Sequence, residues 1–127
     1  MKHLIITLLT LFMSMVAWSS NLNCTVKEVY TINPNGELKE GGYFPVQGQS
    51  FVVDVESGNI KGLVMDNMSS GLCDHLVLSK GTSENSFKLI TNCGGGTQAE
   101  YLTIKTWSNN EFLAIATSNA VLTGSCK

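Results

Sequence analysis

The sequence predicts an all-β fold: one small antiparallel β-barrel or β-sandwich of about eight strands, stapled by disulfides. Three observations carry this. Short apolar runs recur every ~10–14 residues, each closed by a turn signal. Several runs alternate apolar and polar residues, the period of a half-buried strand. No window of about 11 residues shows a capped 3.6-residue period, so no helix is expected.

The elements follow in order. The first strand is expected over residues 24–32, with Cys24, Val26, Tyr30 and Ile32 on one face and Thr25, Lys27 and Thr31 on the other. Asn33-Pro34-Asn35-Gly36 closes it with turn chemistry. Residues 37–49 are less regular and hold Gly41-Gly42 and Pro45. Phe51, Val53 and Val55 then alternate with Ser50 and Asp54, and Glu56-Ser57-Gly58-Asn59 turns the chain into a returning strand over 60–66. Strands at 75–80 and 86–91 flank the polar link 81–85, and 92–98 is a glycine-rich loop containing Cys93. Residues 101–107 alternate, with Leu102 and Ile104 opposite Thr103 and Lys105. Ser108-Asn109-Asn110-Glu111 turns into a strand at 112–117, and Ser118-Asn119 into the last, at 120–125.

Ahead of this domain, residues 1–19 read as a secretory signal. Lys2 and His3 form a positive start, residues 4–17 an apolar stretch, and Ala17-Trp18-Ser19 places small residues for cleavage. The stretch of about 14 apolar residues falls short of the roughly 20 that span a bilayer. The expected organisation is therefore a signal peptide at 1–19 and one exported domain at 20–127, with no membrane span after cleavage. An even number of cysteines in a small exported chain favours disulfides, and no C-x-x-C knuckle suggests zinc. The expected pairs are Cys24 with Cys126, which open the first strand and close the last, and Cys73 with Cys93, which bracket one hairpin.

Cys24-Thr25-Val26-Lys27-Glu28-Val29-Tyr30, followed by the stretch from Phe51 to Gly62 with its F-x-V-D-x-x-[ST]-G-x-[IM]-x-G pattern, resembles a family of small exported bacterial proteins of uncharacterised function. The resemblance implies a periplasmic or secreted bacterial protein and carries over no catalytic residue.

Composition closes several function classes. A net charge of −2, from eight Lys and ten acidic residues with no Arg, argues against nucleic acid as a partner and removes guanidinium clamps. His75 reads as a surface residue at a strand start, with Asp74 on the opposite face. Asp66-Asn67-Met68-Ser69-Ser70-Gly71 fails as a calcium loop, because Met68 stands at its third position and Val77 at its twelfth. Gly94-Gly95-Gly96 lacks the lysine and following helix of a phosphate loop. Glu28, Asp54 and Glu100 read as solvent-facing strand positions, and no spacing selects two of them as a glycosidase pair. No cofactor, metal or catalytic residue is expected. The candidate contact residues are the aromatics near loops, Tyr43, Phe44, Trp107 and Phe112, since such side chains bury much area at low entropic cost. The expected function is binding of a protein, an envelope polymer or a small ligand, in the manner of an inhibitor or immunity protein. The alternative is a small carboxylate-dependent hydrolase or carbohydrate-active enzyme. The oligomeric state is left open.

Overall fold

The computed structural model describes residues 20–41, 46–62, 72–116 and 120–127. Among the described residues, nine strands form one antiparallel sheet: β1 (Asn21–Ile32), β2 (Leu38–Glu40), β3 (Ser50–Asp54), β4 (Ile60–Lys61), β5 (Cys73–Lys80), β6 (Phe87–Cys93), β7 (Gln98–Lys105), β8 (Glu111–Ile115) and β9 (Ala120–Cys126). Eight of them run in the order β4-β3-β1-β9-β8-β7-β6-β5, and β2 pairs with β1. Apart from β1 with β9, neighbours follow one another along the chain, β1 and β3 being separated only by β2. This is an up-and-down path, curled into a half-barrel rather than split into two packed sheets. The first strand meets the last at a seam inside the sheet, whose two ends are β4 and β5.

That seam explains the cysteines. Cys24 lies directly opposite Cys126, and Cys73 opposite Cys93, and each pair is joined as a disulfide. At the same seam the strands leave no room for a side chain on Gly124. A Cβ on Gly124 would lie 2.0 Å from the carbonyl oxygen of Thr25 and 2.6 Å from the Phe112 ring. Only hydrogen fits there.

The inner face follows the period of two. Phe51 and Val53, Phe87 and Leu89, Leu102 and Ile104, Phe112 and Ala114, and Leu122 are buried and form one core, in which Phe51 meets Phe112 edge to face at 5.2 Å between ring centroids. The turn after β3 packs against this core. Its Gly58 has φ +77°, and a Cβ there would come within 2.7 Å of Leu89 Cδ1 and 3.0 Å of Val77 Cγ2. The β3–β4 turn thus lies against β5 and β6, across the open side of the path, and Glu56 pairs with Lys80 there.

Three expectations are corrected. In β1 the register shifts between Val26 and Glu28. This bulge reverses the faces beyond it: Val29 is buried, while Tyr30 and Ile32 turn outward. His75 is not a surface residue at a strand start. The strand begins at Cys73, and His75 points inward, half-buried, with Nδ1 3.0 Å from Thr91 Oγ1. Nor does Glu100 face solvent: it stands opposite Thr91, two residues before Leu102 on the inward parity, and is 3% exposed. His75, Thr91 and Glu100 make a polar row across the inner face of β5, β6 and β7. Element boundaries also move. β2 forms inside the stretch that reads as irregular, and β6 and β7 extend so that only Gly94–Gly96 and Thr97 separate them. The expected continuation of β4 to residue 66 lies largely outside the described residues.

Candidate functional site

The outer face carries a groove of about 360 Å³ over β1, β9, β8 and β7, within the range of small-ligand sites. Register builds it. Thr103, Leu113, Thr123 and Glu28 stand opposite one another in turn across the four strands, forming one row. Lys105 and Glu111 form the next row, and Lys27, at the β1 bulge, completes the polar rim. Leu113 is the outward apolar residue of the floor, 37% exposed, with the two threonines beside it offering methyl and hydroxyl groups. Phe112 and Gly124 also contribute to the lining.

The charges are balanced. Lys105 Nζ lies 3.9 Å from Glu111 Oε2 on the surface. The Tyr30 hydroxyl donates to Glu28 Oε2. That bond to a carboxylate, with the like charge the phenolate would meet, pushes the Tyr30 pKa above its ordinary 10.0. Two ammonium and two carboxylate groups therefore rim the groove, with a phenol locked to one of them.

Trp107 stands beside this rim. It is 54% exposed, and Lys105 Nζ lies 5.9 Å from its ring centroid, a cation–π arrangement. Trp107 belongs to the β7–β8 turn rather than to the end of a strand. The turn is held from several directions. Ser108 N–H donates to the Lys105 carbonyl at 2.9 Å, Glu111 N–H to that of Ser108 at 3.1 Å, and Cys126 N–H to that of Asn110 at 2.9 Å. Thr106 Oγ1 sits 2.6 Å from the Thr82 carbonyl and 2.9 Å from that of Asn85, which ties the turn to the β5–β6 link. Asn109 and Asn110 both take the left-handed conformation, at φ 49° and 50°. Asn tolerates this region better than most residues, and two in succession are the pattern of a type I′ turn, closed here by the Glu111 N–H on the Ser108 carbonyl.

Of the expected contact aromatics, Trp107 is thus exposed at the groove. Phe112 lies beneath it at 3% exposure, its ring in the core. Tyr43 and Phe44 fall outside the described residues. Sequence reasoning did not find Tyr30, Leu113 or the threonine row, because they become neighbours only through the β1–β9–β8–β7 register.

The remaining polar features are structural. Asp54 Oδ1 accepts the Glu56 N–H at 2.9 Å, and this bond holds its carboxyl below the ordinary 3.8 while fixing the β3–β4 turn. Burial lowers the pKa of His75 below 6.5. Among the described residues, no cluster of His, Cys, Asp or Glu is placed to hold a metal ion, and no helix is long and apolar enough to cross a membrane. Comparison with known proteins finds no matching family model, no matching curated protein and no matching solved structure.

Proposed function

We propose that this chain is an exported bacterial binding domain without catalytic activity, periplasmic or secreted, which engages its partner through the outer-face groove and the Trp107 turn. The observation that carries the reading is an exposed tryptophan on a turn held by several hydrogen bonds, beside a groove of ligand size. A contact residue fixed before docking loses little entropy on binding. Two intramolecular disulfides fit residence in an oxidising compartment.

The second reading, a carboxylate-dependent hydrolase, rests on Glu28 and Glu111 lining the same groove. The binding reading is favoured because each carboxylate already faces a hydrogen-bond donor, Tyr30 or Lys105. A general acid instead needs surroundings that keep it protonated.

The test is capture from an envelope fraction by the oxidised protein, run beside Trp107→Ala. Retention lost in the variant, with an unchanged melting temperature, supports the reading. Partners captured equally by both proteins would overturn it.

A further inference from the structure

Resting on the binding reading, we propose that the groove takes a neutral oligosaccharide segment of a larger polymer. The argument is one of matched chemistry.

The groove's rim presents two cations and two anions, Lys27, Lys105, Glu28 and Glu111. A polyanion would meet repulsion from the glutamates, and a polycation from the lysines. A neutral ligand meets neither.

The neutral ligand must also satisfy the polar groups it covers. Lysine only donates, a carboxylate only accepts, and threonine does both. A run of sugar hydroxyls, each both donor and acceptor, answers all three. Bonds from hydroxyls to the four charged groups are of the stronger, charge-assisted kind. An apolar ligand would instead strip water from these groups and return nothing.

A peptide is the remaining neutral candidate. A peptide that binds by adding a strand needs a free sheet edge to pair its backbone with. The groove's floor strands β7, β8 and β9 lie inside the sheet, where each is already paired on both sides, and β1 likewise lies between β9 and β3. The floor therefore offers side chains and no open ladder.

Sugar rings also have apolar C–H faces, and these need flat apolar surface. Trp107 supplies it, with Leu113 and the methyl groups of Thr103 and Thr123 further in. The electron-rich face of an indole favours weakly positive C–H groups for the same reason it favours Lys105. The outward row beyond the groove brings Tyr101 and Tyr30 to the same face, so a chain longer than the groove has further rings to lie on.

The experiment uses the full chain carrying Trp18→Phe, which leaves Trp107 as its sole indole. Fluorescence and amide NMR shifts are followed on addition of chitotetraose, maltotetraose and cellotetraose, with a tetragalacturonate and a neutral tetrapeptide as comparators. The expected result is a saturable change with a neutral tetrasaccharide, mapped to Lys27, Thr103, Leu113 and Thr123, and none with the comparators. Trp107→Ala, followed by NMR, should weaken it about tenfold or more. Glu111→Gln should weaken it less, and Leu38→Ala on β2 not at all. Response to the tetragalacturonate or the peptide alone would overturn the ligand class. So would silence toward every neutral glycan while Trp107-dependent capture from the envelope fraction persists, an outcome that leaves the binding reading standing. Loss of both would overturn both. New reducing ends during the titration would place the groove in a hydrolase and overturn pure binding.

Discussion

Gly124→Ala should be among the most damaging single-atom additions this chain can suffer. Gly124 does not have a positive φ, so no backbone preference asks for glycine. The requirement is spatial. The new Cβ would sit 2.0 Å from the Thr25 carbonyl oxygen, 2.6 Å from Phe112 Cε1 and 2.9 Å from Phe112 Cζ. Neither neighbour yields easily. Thr25 lies between Cys24, bound to Cys126, and the β1 bulge, and its carbonyl cannot retreat without straining the β1–β9 register. Phe112 is fixed by Phe51 in the core. Overpacking a formed core costs about 1–3 kcal/mol and occasionally more, and a clash against backbone belongs at or above the top of that range. Against a total stability of about 5–15 kcal/mol, a loss of about 3 is a large share. It corresponds to a fall of roughly 12 °C or more in melting temperature for a domain of this size. Urea denaturation of the oxidised protein measures it, with the midpoint moving and the slope unchanged if the variant still unfolds in one step. A midpoint equivalent to less than about 0.5 kcal/mol of change, the ordinary range for surface sites, would refute the claim that β1 and β9 meet this closely.

Further outcomes follow from the same geometry. Replacing Cys24 and Cys126 with serine should destabilise by about 4–5 kcal/mol and replacing Cys73 and Cys93 by about 3, because the first bond closes the longer loop; equal denaturation midpoints would count against this order. Phe112→Ala should cost about 3–5 kcal/mol of stability, whereas Trp107→Ala should stay within about 0.5 and act on binding alone. Thermal melts paired with the capture assay separate the two. His75 has a folded-state pKa lowered by burial, so the unfolded chain takes up the proton first. Its contribution is whole above the unfolded value of about 6.5 and declines as pH falls through it, and His75→Gln should flatten that decline in urea midpoints measured at about pH 7.5 and about pH 5.5.

How far these features are legible in the sequence depends on whether they rest on local alternation or on register. The all-β class, the alternation of Phe51 with Val53 and of Leu102 with Ile104, and both disulfides follow from local pattern and from the tendency of terminal strands to be neighbours in a closed or nearly closed β domain. Tyr30 does not. A strict period of two from Cys24 sends it inward, and a single extra residue at Lys27 sends it out to Glu28. Nothing in Val-Lys-Glu-Val announces that bulge. Glu100 misleads for a different reason. Its charge argues for solvent, while its parity with Leu102 and Ile104 argues for the core, and parity prevails because a strand cannot turn one residue without flipping the rest. Trp107 is legible as a loop aromatic, but its neighbours are not. Lys27 and Thr123 lie near opposite ends of the chain and meet across the seam between β1 and β9.

The outer face itself divides in register. One row runs Leu76, Ile90, Tyr101, Ile115, Val121 and Tyr30 across six strands, apolar or aromatic throughout. β-Branched and aromatic cross-strand pairs of this kind stabilise a sheet even when water reaches them, by about 0.2–1 kcal/mol each. A sheet left open between β4 and β5 gains from such a belt. The adjacent row runs Lys88, Thr103, Leu113, Thr123 and Glu28. Here threonine keeps the β-branched preference for a strand, while its hydroxyl, with a lysine and a glutamate at the two ends of the row, makes this part of the face polar. The polar row is the one that holds the groove and leads to Trp107, so on the binding reading the two rows divide the work: one braces the sheet and the other meets the ligand.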